Sequence, residues 1–125
     1  MRKIAKTPRA KLVKKLDDLT RSIIMQMEDQ CVVCGSTAQP TVGHIFSRTA
    51  YATRWDVHER GNCHRQCWPC NFKHVRDQYP YFTWYANKFG SDDLDDLRAR
   101  YRTVSKLKDY ELLAIIEWME KVNKG

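Results

Sequence analysis

The sequence predicts an α+β protein: a zinc-braced core of hairpin and helix, preceded by an N-terminal helix and followed by a C-terminal helical extension. Three observations point there. Two C-x-x-C pairs, Cys31/Cys34 and Cys67/Cys70, each set two thiolates on one tight turn, and two such turns complete a tetrahedral zinc shell. Apolar residues on either side of that stretch recur at three- and four-residue steps, the period of an amphipathic helix. Between the pairs that period disappears, and residues 41–46 read as a short strand.

Taken in order, residues 1–8 are expected to be a flexible basic arm, and Pro8 suits the first turn of a helix. Leu12, Leu16, Leu19, Ile23 and Met27 form one apolar stripe, so a helix is expected over 8–28, with Lys11, Lys14, Lys15 and Arg21 on its other face. The stripe is a core face or a dimer contact. The first cysteine turn follows, and Gly35 lets the backbone turn back past a metal. After the strand comes an irregular stretch with Arg48, Arg54, Trp55, Asp56 and His58, closed by the turn signal Gly61-Asn62.

The second cysteine turn heads a helix over 67–77. Pro80 opens the next, which carries Tyr81, Trp84, Tyr85 and Phe89 and stops at Gly90. Ser91 is expected to cap a helix bearing Leu94, Leu97 and Tyr101, whose acidic start complements the helix dipole. Asp109 is expected to cap a last helix with Leu112, Leu113, Ile116, Met119 and Val122. Residues 1–29, 30–78 and 79–125 are then arm and first helix, core, and extension of one compact domain. A chain of this size builds a modest core, and a structural metal supplies stability that packing lacks.

The formal net charge is +7. Arg2, Lys3, Lys6, Arg9, Lys11, Lys14 and Lys15 precede the first acid, Asp17. Alone, such a run is most often a solvated helix face; beside a candidate phosphodiester site it reads as a nucleic-acid surface. The basic start is not followed by an apolar segment, so no secretory signal is expected, and the longest aliphatic run, 112–116, is far too short to span a bilayer. Four of five cysteines lie in C-x-x-C pairs, which fits a reducing cytoplasm; Cys63 is expected to be a small buried residue beside the zinc.

Phosphodiester hydrolysis needs a base to activate water, a cation to offset charge on the phosphorane, and a brace for the base. Gly43-His44-Ile45 offers an imidazole on a strand, Asn62 a bracing amide, and Asn71, just after Cys70, an amide oxygen at the head of a helix. His-Asn-Asn at these positions resembles the ββα-metal, or HNH, nuclease pattern, in which a metal ligand follows the bracing Asn by nine residues. A closer resemblance spans nearly the whole chain. Cys31-x-x-Cys34-Gly35, Gly43-His44-Ile45-Phe46, Arg54-Trp55-Asp56 and Asn62-Cys63-His64-Arg65-Gln66-Cys67-x-x-Cys70-Asn71 are similar to the phage lambda NinG (Rap) family of recombination nucleases.

That resemblance implies an HNH-like core and a Mg²⁺- or Mn²⁺-dependent endonuclease acting on branched DNA, such as Holliday junctions or D-loops. Cys31, Cys34, Cys67 and Cys70 would hold structural Zn²⁺, His44 would be the general base, Asn62 its brace and Asn71 a ligand of the catalytic cation. His74 is either a second ligand or a phosphate contact, and His64 braces the phosphate or joins the metal's surroundings. Arg48, Arg54, Arg65, Lys73 and Arg76 would join Lys11, Lys14 and Lys15 in binding DNA, while Tyr79, Tyr81, Trp84 and Tyr85 divide between base stacking and core packing. Many HNH enzymes carry an Asp before the catalytic His; here it is Gly43, and either Asp56, Glu59 or Asp77 substitutes or backbone oxygens and water fill the shell. The expected setting is the host cytoplasm, with a homodimer and phage or host recombination proteins as partners. The alternatives are a non-catalytic zinc-ribbon DNA-binding module and a recombination adaptor.

Overall fold

The computed structural model describes residues 7–103 and 105–124; the expected basic arm, with Arg2, Lys3 and Lys6, falls largely outside them. Helix α1 spans Pro8–Met27, and Thr7 caps it by accepting from Ala10 N at 3.1 Å. Leu16, Thr20, Ile23 and Ile24 form its buried face. The helix stops one residue earlier than its expected end because Glu28 turns extended, φ −133°. That turn sends the Glu28 carboxylate beneath the following strands.

Strands β1 (Pro40–His44) and β2 (Cys63–Cys67) pair antiparallel, with Gly43 opposite His64 and His44 opposite Cys63. The strand expected over 41–46 ends at His44. Ile45 N–H still donates to Asn62 O, its in-register neighbour, at 3.0 Å, but Phe46 N–H goes to the Asn62 side-chain Oδ1 at 2.8 Å, and the ladder ends there. Residues between the strands include a one-turn helix, α2 (Tyr51–Arg54), where an irregular stretch was expected.

Helix α3 (Trp68–His74) follows β2 directly and is shorter than the expected 67–77. Helices α4 (Tyr79–Phe89), α5 (Ser91–Arg102) and α6 (Asp109–Val122) match the apolar periods. Ser91 and Asp109 are not caps: each is the first helical residue, after Gly90 and Lys108, which make no side-chain cap bond. Gly90, at φ +98°, takes a conformation that an L side chain rarely adopts, so one glycine ends α4 and admits α5.

The hairpin is buried on both faces. Strand alternation sends Val42, His44 and Cys63 toward α1 and α6, where Leu16, Ile23, Ile24, Trp55, Val57, Leu112, Ile116 and Met119 form one core with Cys63. The opposite face meets a second core of Ile45, Phe46, Tyr81, Tyr85, Leu94 and Leu97. Tyr81 and Tyr85 are therefore core residues, whereas Tyr79 is exposed. Among the described residues no helix is long and apolar enough to cross a membrane.

Candidate functional site

The first cysteine turn closes through Gly35 N–H to Cys31 O and Cys31 N–H to Ser36 O, both 2.8 Å, with Gly35 at φ +81°. Val32 N–H donates to Arg65 O at 2.9 Å, which ties this turn to β2 and brings it against the second pair. The sulfurs of Cys31, Cys34, Cys67 and Cys70 all lie within 4.8 Å of one another, and Cys34 and Cys67 are 3.6 Å apart. A tetrahedral zinc–thiolate site with bonds of about 2.3 Å separates its sulfurs by about 3.8 Å. The four thiols thus fit a zinc ion.

Burial would raise the Cys31 thiol, but the backbone N–H groups of Cys34, Cys67 and Val33 outweigh it and bring it down to about 7. Burial pushes Cys70 up. Binding of a cation would displace these protons together, so affinity should rise with pH. Cys63 is not in the cluster. It is buried in the α1–α6 core, its thiol raised by burial, and it donates to Arg54 O at 3.2 Å.

Next to this centre, a cleft of about 620 Å³ runs between α1 and α3 across β1. Asp17, Asp18, Thr20 and Arg21 line it from α1, Val42, His44, Ile45, Ser47 and Arg48 from β1 and the following loop, and Asn71, His74, Val75 and Gln78 from α3 and its exit. Another hollow, over Arg9, Tyr51, Tyr101 and Leu107, is lined by no imidazole, thiol or carboxylate.

His44 Nε2 lies 2.8 Å from Arg54 O. A carbonyl only accepts, so Nε2 carries the proton and Nδ1 keeps its lone pair. Nδ1 has no partner among the described residues. Burial, first, holds the imidazole below its ordinary range; the Arg54 carbonyl opposes that, and the Arg48 charge adds to it.

Asn62 is fully buried. Its Oδ1 accepts from Phe46 N–H at 2.8 Å, and its Nδ2 donates to Phe46 O at 2.9 Å and Thr53 O at 3.1 Å. It thus joins the end of β1 to α2, next to Arg54. Asn71 Nδ2 donates to Thr41 Oγ1 at 3.0 Å and to Val42 O at 3.3 Å. Those bonds fix the amide and leave Oδ1 without a protein partner among the described residues.

Of the other histidines singled out, His74 lines the cleft beside Asn71 and His64 does not. His74 donates from Nε2 to Ile45 O at 2.8 Å, and its Nδ1 is buried without a partner. His64 lies away from the cleft, between Glu28 Oε2 at 2.7 Å and Gly61 O at 2.8 Å, with the Trp84 ring edge-on at 4.8 Å. Both of its nitrogens are occupied, so it faces neither phosphate nor cation in this arrangement.

A side chain at position 43 would need the buried Gln66 side chain to move. A Cβ there would lie 1.9 Å from Gln66 Oε1 and 2.6 Å from Gln66 Cδ, so the cross-strand glutamine takes the space of the carboxylate that many HNH enzymes place there. The expected substitutes are elsewhere. Asp56 accepts from Asn62 N–H at 3.2 Å and Arg100 Nη2 at 2.8 Å, and Asp77 from Tyr79 N–H at 3.1 Å. Neither of them, nor Glu59, lines the cleft; Asp17 and Asp18 do. Sequence reasoning passed over this pair, because acids on a helix with a basic face read as surface charge.

Of the expected DNA-binding cations, Arg48 is exposed in the cleft, and Lys73 and Arg76 are exposed on α3 and just beyond it. Arg54 is held by Asp17, and Arg65 by the carbonyls of Glu28 and Thr37. Lys11, Lys14 and Lys15 are exposed on α1, with Lys14 paired to Asp18 at 2.7 Å and Lys15 to Glu120 at 3.5 Å.

Fold and site together define a small α+β protein built around a four-cysteine cluster able to hold zinc, with a histidine-bearing cleft beside it. A family model described as Bacteriophage Lambda NinG protein matches residues 1–124, and the chain belongs to that family. No curated protein and no solved structure matches the chain.

Proposed function

We propose that the chain is a metal-dependent DNA endonuclease of the HNH type, acting on branched DNA in phage recombination. The observation that carries this reading is His44: its Nε2–H is committed to Arg54 O at 2.8 Å, which leaves Nδ1 bare beside the cleft that Asn71 also lines. A neutral imidazole with one free lone pair is the form a general base requires. His44 Nδ1 would take the proton of the attacking water, and Asn62 would keep the His44–Arg54 contact in register.

Asn71 Oδ1 is the group suited to a divalent cation, because its amide nitrogen is already spent on β1. Mg²⁺ tolerates a shell made mostly of water, so one amide oxygen with Asp18, which lines the same cleft, and water is a workable donor set. When bound, the cation would offset charge on the scissile phosphate. His74 is assigned a bracing role between α3 and β1, since Nε2 is bonded to Ile45 O and Nδ1 is enclosed. Arg48, Lys73 and Arg76 would meet DNA phosphates, with binding that weakens as salt rises.

A four-way junction and a linear duplex incubated with Mg²⁺, Mn²⁺ or chelator test the reading. Metal-dependent nicking that His44→Ala reduces by about a hundredfold or more, with DNA binding retained, is the expected result. One observation favours a non-catalytic zinc-ribbon module instead: Gln66 fills the place of the usual strand carboxylate. Wild-type protein that binds both DNAs and cuts neither would establish that alternative.

A further inference from the structure

We infer that Asp17 is a positioning residue for His44: from α1 it clamps the Arg54–Trp55 segment, whose carbonyl fixes the orientation and tautomer of the imidazole. This rests on the nuclease reading for its catalytic meaning. Asp17 Oδ1 accepts from Arg54 Nε at 3.1 Å and from Trp55 Nε1 at 2.8 Å, while Oδ2 accepts from Arg54 Nη2 at 2.8 Å. One carboxylate thus grips two consecutive side chains. The backbone oxygen of the first is the acceptor of His44 Nε2–H at 2.8 Å.

A bidentate arginine pair fixes both the distance and the plane of the guanidinium, which a single ion contact does not. The Arg54 side chain is 12% exposed and that of Asp17 35%, so this is not a loose surface pair. Trp55 is 6% exposed and belongs to the α1–α6 core, which anchors the far side of the segment. Asp17 also offsets positive charge beside the imidazole, since Arg48 Nη2 lies 3.9 Å from the same Oδ2. Released from Asp17, the Arg54 carbonyl keeps only the Cys63 thiol and the Asn62 bond to the preceding carbonyl as restraints, the imidazole's acceptor is less tightly fixed, and the proton can pass to Nδ1. That second tautomer presents an N–H where a base needs a lone pair.

The test uses full-length zinc-loaded protein labelled with ¹⁵N at histidine. In the wild type, His44 should show a protonated Nε2 and a bare Nδ1 at neutral pH. Asp17→Ala should add the other tautomer, and Asp17→Glu, which keeps the charge, should restore part of the original signal. Junction cleavage should lose about ten- to a hundredfold in kcat with KM little changed, the mark of misplaced reacting groups. Zinc content and a cooperative melt establish that each variant is folded, and Asp17→Asn, of the same shape, serves where the alanine variant is not.

A folded variant with the wild-type tautomer and kcat overturns the clamp, as does a change confined to KM. A wild-type protein that never cuts DNA sinks the nuclease reading alone, because the imidazole signals still decide whether Asp17 sets the tautomer.

Discussion

His44 is buried enough that its imidazole stays neutral below the ordinary histidine range, 6.5, even though Arg54 O and Asp17 favour the charged form. An unfolded chain would bind a proton at higher pH than the folded one. Stability contributed by the neutral ring is therefore complete above about 6.5 and declines as pH falls through the lowered value. On the proposed nuclease reading the same depression has a kinetic face: the acid limb of the pH–kcat/KM profile should have its midpoint below 6.5, measured on a junction substrate. Asp17 behaves in the usual carboxylate sense. Burial alone would raise it, but the Arg54 and Trp55 donors bring it below 3.8, and its contribution is lost only as pH falls through that lowered value. At Gly43, packing and chemistry meet. Gly43→Ala drives a methyl group into the buried Gln66 side chain, and should cost about 1–3 kcal/mol in urea unfolding, with Gln66→Ala in the same chain recovering part of it.

Elements with a strong period were legible in the sequence, and those without one were not. Helices α1, α4, α5 and α6 follow from Leu, Ile and aromatic residues at helical spacing, with Pro8 and Pro80 near their starts. Strand β2 is hard to read because its residues, Cys63–Cys67, include three polar side chains that are buried or half-buried. His64 and Arg65 are held by the distant Glu28, while Gln66 packs over Gly43 with its Oε1 buried and without a partner among the described residues. The cysteine pairs and their convergence follow from spacing, whereas Asp17 and Arg54, 37 residues apart, converge only through the packing of α1 on the hairpin. Because two of the four cysteines belong to the first turn and two to the β2–α3 junction, the metal should hold the order of that junction. Chelation, or Cys67→Ser, should release one zinc per chain, read by a metallochromic dye. It should also lower the amide protection of β2 and α3 far more than that of α6.

The whole molecule is two cores divided by one ribbon. Leu112 is fully buried where α6 meets α1, so Leu112→Ala should remove about 2–5 kcal/mol of stability in denaturant titration while zinc stoichiometry stays at that of the wild type. The cleft borrows from both halves: Asp17 and Asp18 belong to the α1 side, Asn71 and His74 to the helix on the other, and His44 to the ribbon between. That division has a thermodynamic corollary. A partition two strands wide, with the α2–α5 contact and the Arg100–Asp56 pair beside it, carries the mechanical communication between the halves, so cooperativity depends on how stiff it is. With the sulfur cluster loaded, the molecule should melt as one unit. With it stripped, calorimetry should resolve two endotherms, and the geometry of the cleft, which spans the partition, should be lost at the lower of them while much of the helical signal survives.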